Sequence, residues 1–149
     1  MESAILELCF PNLRNVGYRV ESPRTGRYNC VAWAAGDSDR PWWPIYRRPF
    51  YWPEEPRVES LPAFIRVFQG LGYEVCDNSN LEIGFDKVAI YVDKDESPTH
   101  VARQLPSGEW TSKCGDWEDI VHNTLEGLEG SYPAYGRVAC LMKRPILQS

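Results

Sequence analysis

No stretch of this 149-residue chain approaches the roughly 18 consecutive apolar residues that a membrane-spanning helix needs, so no membrane partner is expected. No Cys-x-x-Cys or His-x-x-x-His spacing occurs, which removes the usual local signature of structural zinc; no metal and no cofactor are expected. A glycine-rich phosphate loop is absent, as are internal repeats and low-complexity tracts. Positive charge is scarce, with 16 Lys and Arg against 21 Asp and Glu and a net charge of -5. The cluster Arg40, Arg47, Arg48 does not reverse that balance, and a nucleic-acid partner is not expected. The opening "MESAILELCFPN" carries Glu2 and Glu7 and no Lys or Arg ahead of its apolar residues, unlike a secretory signal. Five cysteines, an odd number without tight spacing, then point to reduced thiols and a cytoplasmic location. Histidine is also rare: only His100 and His122 are present.

Aromatics are plentiful, with 6 Trp and 8 Tyr, and the length suits one domain spanning 1–149 with a sizeable core. Residues 1–27 read as an irregular arm, punctuated by Pro11, Gly17, Pro23 and Gly26, with "GYRVESP" as a short extended segment. Asn29 is placed to cap a short helix with Cys30 in its first turn, which Gly36 would end in the left-handed conformation. Residues 37–59 hold five prolines and read as a Trp/Pro-rich loop. That loop either walls a cleft or covers the core with Trp42, Trp43 and Trp52. Ser60 caps an amphipathic helix with Leu61, Phe64, Ile65, Phe68 and Leu71 on one face. "YEVCD", "KVAIYVD", "THVARQL", "EWTSKCG" and "YGRVACLMKRP" read as strands, and "DWEDIVHNTLEGLEG" as a turn or two of helix capped by Asp116. The expected class is α+β, with the Cys30 helix packed on an antiparallel sheet.

The candidate chemistry is thiol attack on a carbonyl. A thiol needs a base, an imidazole is the usual one, and a helix start adds a stabilising partial positive charge. Cys30 is the candidate nucleophile and His100, heading the strand "HVARQL", the candidate base. The backbone around Asn29 and Cys30 would supply an oxyanion donor. With a three-residue hairpin loop Pro106–Gly108, Leu105 pairs with Glu109, and His100, Ala102 and Gln104 share a face with Trp110, Ser112 and Cys114. With a two-residue loop the face-mates become Thr111 and Lys113. Neither register sets a carboxylate opposite His100, which leaves Gln104, Ser112 or Thr111, a backbone carbonyl or a water to orient it. Asn29, Trp33, Trp42, Trp43, Trp52, Lys113 and His122 complete the candidate set as substrate-binding groups. His122 also reads as a surface histidine beside Glu118 and Asp119.

Cysteine at a helix start, then seventy residues, then histidine at the head of a sheet strand resembles the layout of papain-like hydrolases, including the NlpC/P60 type. That resemblance implies a papain-like fold and a peptidase, amidase, deamidase or acyltransferase acting on an amide, ester or thioester. The chain also resembles a family of small bacterial proteins through "SPRTGRYNCVAWAAG" at Ser22–Gly36, "WWP" at Trp42–Pro44 and "YWP" at Tyr51–Pro53. "THVARQLPSGEWTSKCGDWEDIVH" at Thr99–His122 and "YGRV" at Tyr135–Val138 carry it further. This second resemblance supports the choice of residues more than the chemistry. The contrasting expectation is a non-enzymatic immunity, regulatory or carrier protein that meets a protein partner through "RPWWPIYRRPFYWP", since interfaces favour aromatics and Arg.

Overall fold

The computed structural model describes residues 2–22, 27–114 and 119–146. Its centre is a seven-stranded antiparallel sheet with short helices on both faces, an α+β arrangement. In chain order the strands are β1 (Tyr18–Ser22), β2 (Glu74–Cys76), β3 (Phe85–Val92), β4 (Pro98–Gln104), β5 (Trp110–Lys113), β6 (Asp119–His122) and β7 (Arg137–Pro145). In space they lie β1-β6-β5-β4-β3-β7-β2. The helices are α1 (Glu2–Cys9), α2 (Cys30–Ala35) and α3 (Leu61–Gly70), with 3-10 turns at Pro11–Asn15 and Leu125–Leu128.

The central strands are apolar on both faces because both are covered. Along β3, Val88 and Ile90 turn to the layer of α2 and α3, where they join Val101 and Met142. Ala89 and Tyr91 turn to the opposite layer with Ala102, Ile120 and the N-terminal residues Leu6, Phe10 and Leu13. Period-two alternation therefore decides which layer each side chain enters.

Local signals in the sequence place much of this. Asn29 caps α2, its side-chain oxygen accepting from the Ala32 N–H at 3.1 Å, and Gly36 ends it at φ +89°. Ser60 caps α3, whose Phe64, Val67 and Phe68 are buried. Burying each of those side chains is worth about 1.5–3 kcal/mol. The β4–β5 hairpin takes the three-residue register: the Leu105 N–H donates to Glu109 O at 2.7 Å and Gln104 stands opposite Trp110.

Two expectations need correction. Residues 1–27 are not an irregular arm throughout: α1 and a 3-10 turn occur there, while the edge strand β1 falls within the expected extended segment. Leu6, Phe10 and Leu13 supply the reason, since they are the apolar cover of the second sheet face. The segment after residue 118 is a strand, not a helix: β6 pairs with β5 on one side and β1 on the other. A helix there would leave both neighbours without their ladder bonds. The expected cap Asp116 lies outside the described residues.

The Trp/Pro-rich segment covers the core. Trp42 and Trp52 are buried, and the rings of Trp43 and Trp52 pack on Phe64 at 5.3 and 4.9 Å. The chain does have a cleft of about 790 Å³, but its lining comes from elsewhere, including Asp93, Lys94, Thr99, Ala134, Gly136 and Arg137. Among the described residues no helix is long and apolar enough to cross a membrane.

Candidate functional site

Cys30 occupies the first position of α2, where it is 6% exposed. Asn29 builds its entry. Beyond capping Ala32, the Asn29 side-chain oxygen accepts from the Trp42 N–H at 2.9 Å, and its Nδ2 donates to Trp42 O at 2.8 Å. The helix start is thus tied to the loop that covers it. Burial pushes the Cys30 thiol up to about 11. The backbone N–H groups of Val101, Val31 and Cys30 itself, and the Lys113 ammonium, pull the other way. A thiolate poised by the helix start alone is therefore corrected to a neutral thiol, because desolvation outweighs those donors.

The sulfur lies where the sheet opens. The β4–β5 ladder contains only Arg103 opposite Thr111 and Gln104 opposite Trp110. Both strands run on beyond these pairs, β4 held by β3 and β5 by β6. Val101, whose backbone lowers the Cys30 thiol against its burial, belongs to this stretch of β4. In an antiparallel sheet the start of β4 lies at the same end as the close of β5 and the starts of β6 and β7. Cys30, Lys113, Asp119, His100 and the cleft loops therefore gather at one end of the sheet.

His100 does not bond to Cys30. It stands opposite Tyr91 in the β3–β4 ladder and faces the second layer, whereas Val101, next along, faces α2. The imidazole is fully buried, stacked on Tyr135 at 4.2 Å with the rings 4° from parallel, and meets Tyr91 at 5.3 Å. Among the described residues neither ring nitrogen has a hydrogen-bond partner. Burial, with the nearby His122, holds His100 well below its ordinary value, so it is a neutral imidazole. The expected dyad contact is thus corrected: strand alternation turns the two residues to different layers.

None of the three side chains expected to orient His100 bonds to it. Ser112 Oγ is 2.8 Å from Nε2 of His122. Gln104 Nε2 donates to Ser79 O at 2.9 Å and Gly108 O at 3.3 Å, at the far end of the strand. His122 is not a surface residue: it is fully buried, with Nδ1 2.8 Å from Thr124 O. Burial lowers it to about 4 against the pull of that carbonyl. Thr111 accepts from Trp33 Nε1 at 3.0 Å on the α2 face. Lys113 is fully buried there too, its ammonium 5.6 Å from the Tyr28 ring.

Tyr28, Asp119, Tyr91 and Tyr135 belong to the site without having been singled out. The Tyr28 hydroxyl donates to Asp119 Oδ2 at 2.7 Å, and its ring stacks on Trp33. Burial, then the bond to Asp119 and its charge, push Tyr28 up to about 12. Oδ1 of Asp119 is buried without a hydrogen-bond partner among the described residues. The one signal for this pair was the strand alternation of "DIVH", which the helical reading of that segment hid. Tyr135 sits in a turn, where no periodicity marks a facing residue. Among the described residues, no three His, Cys, Asp or Glu side chains gather in a way that could hold a metal ion.

The fold and this end of the sheet define an α+β protein built around a buried cysteine at a helix start. The chain belongs to the family described as Domain of unknown function (DUF7689), whose pattern matches residues 19–143. No curated protein and no solved structure matches it.

Proposed function

We propose that this chain is a cysteine hydrolase or acyltransferase of papain-like layout acting on an amide, ester or thioester carbonyl, with Cys30 as nucleophile and His100 as base. The observation that carries the reading is the placement of Cys30 at the first position of α2, where a helix leaves its first N–H groups without helical partners, on a helix start that Asn29 ties to Trp42. Donors fixed in that way stabilise the oxyanion that forms when a thiol adds to a carbonyl. The thiol proton passes to an unpartnered nitrogen of His100 as sulfur bonds to the carbonyl carbon. The tetrahedral adduct then expels the amine, alcohol or thiol, which takes that proton. Water or an acceptor nucleophile afterwards releases the acyl group from sulfur. In the resting structure the thiol and imidazole are both neutral and turned to different layers of the sheet, so the reading requires substrate binding to bring them together.

The test is site-resolved alkylation with iodoacetamide from about pH 5 to pH 9, a range that spans the ordinary imidazole and thiol values. All five cysteines are mapped by mass spectrometry in wild type and His100→Ala. The reading expects Cys30 to outpace the equally buried Cys114 and to slow in His100→Ala. A Cys30 that stays inert, or reacts identically in both proteins, overturns it. A second reading, a protein-binding module, draws on the tip of the Trp/Pro-rich loop, where Tyr46, Arg47 and Arg48 are exposed. It expects Tyr46→Ala to abolish partner capture while Cys30→Ser leaves it intact.

A further inference from the structure

The two histidines are buried in different ways. His122 uses both ring nitrogens, one with Ser112 and one with Thr124, and is thereby locked. His100 uses neither. Buried polar atoms almost always find partners, and a histidine's ring is usually fixed by the bond its second nitrogen makes. What fixes His100 is aromatic: the parallel face of Tyr135 and the tilted ring of Tyr91.

Both rings are themselves anchored. The Tyr91 hydroxyl donates to Leu125 O at 2.7 Å. The Tyr135 N–H donates to Leu128 O at 3.0 Å, and its carbonyl accepts from the Thr99 hydroxyl at 2.6 Å. The Tyr135 hydroxyl bonds to Cys114. Thr99 immediately precedes His100, so one hydrogen bond couples the stacking ring to the strand that carries the imidazole.

We propose that Tyr135 is the positioning residue of His100: its stacked ring sets the plane of the imidazole and leaves both nitrogens unoccupied for proton exchange. This rests on the reading of Cys30 and His100 given above. The ring face also favours the imidazolium that forms when His100 takes the thiol proton, since a cation over an aromatic face is stabilised. A stacked ring does for His100 what a hydrogen-bonded side chain does in other thiol–imidazole pairs, without occupying a nitrogen.

The test compares wild type with Tyr135→Phe, which keeps the ring, and Tyr135→Met, which fills the space without one. Cys30 alkylation by iodoacetamide is followed across pH, and the His100 ring protons by NMR. Tyr135→Phe should retain the wild-type pH profile. Tyr135→Met should slow Cys30 about thirtyfold at neutral pH, the size of a desolvated cation–aromatic interaction, and displace the acid limb of the profile. A profile unchanged in Tyr135→Met overturns the assignment. The wild type gives a second decision that needs no variant: a ring parallel at 4.2 Å shifts the His100 protons upfield, and their absence from that region also overturns it. If His100→Ala leaves Cys30 unaffected while the upfield shift is present and lost in Tyr135→Met, the stack stands and the Cys–His reading is what fails.

Discussion

Gly36 and Gly136 provide a matched pair in which backbone conformation is constant and surroundings differ. Both adopt the left-handed region, at φ +89° and +86°. A Cβ at Gly36 would meet nothing within 4 Å, whereas at Gly136 it would lie 2.0 Å from the Val92 carbonyl oxygen. Gly36→Ala therefore pays only the conformational term, about 1 kcal/mol. Gly136→Ala bears the same term and must also push one backbone away from another. Gly130 and Gly136 exchange two backbone hydrogen bonds of 2.9 Å, and that displacement would strain both. Overpacking contributes about 1–3 kcal/mol and each weakened bond up to about 1 kcal/mol, so a loss of about 3–5 kcal/mol is expected. Urea unfolding of the two variants, with slopes compared to confirm a common transition, measures the difference. Equal midpoints would refute the reasoning, because the close approach to Val92 would then carry no energy. The result bears on the site, since Gly136 follows Tyr135 and fixes where its ring can lie.

Asn29→Ala removes the cap on Ala32 and both bonds to Trp42, and should destabilise the protein by about 2–3 kcal/mol; Asn29→Asp keeps the acceptor and should lose only about 1 kcal/mol, both read by urea midpoint. Trp33→Phe removes the bond to Thr111 and should lose about 1 kcal/mol, with Thr111→Val giving no further loss in the double variant. Stability should be level above the ordinary histidine value of 6.5 and fall as pH drops from there toward about 4, because the unfolded chain binds protons there that buried His100 and His122 do not. Each histidine contributes a slope of about 1.4 kcal/mol per pH unit in that window, and His122→Gln should remove one share of it.

Much of the fold was legible because its signals are local. Asn29, Gly36 and Ser60 act within a turn of their own positions, and the spacing of Phe64 and Phe68 marks a helix face without reference to other segments. The loop "PSG" limited the β4–β5 hairpin to two registers, and the observed one was among them. The helical reading of "DIVH" failed because four residues are too few to show a period, and the pairing with β1 and β5 that decides it is remote in sequence.

The sequence by itself determined that Cys30 begins a helix, that His100 lies on a strand and that the sheet is antiparallel. Tertiary structure alone decided that Cys30 and His100 face different layers, since alternation is known within a strand but its phase relative to a helix depends on which face that helix covers. It also decided the charge states. A helix start argues for thiolate only while water or a cation is close, and the packing of α2, Trp42 and β4 removes the water and leaves Cys30 a thiol. Desolvation depends on everything packed around a group, and no short stretch of sequence contains it.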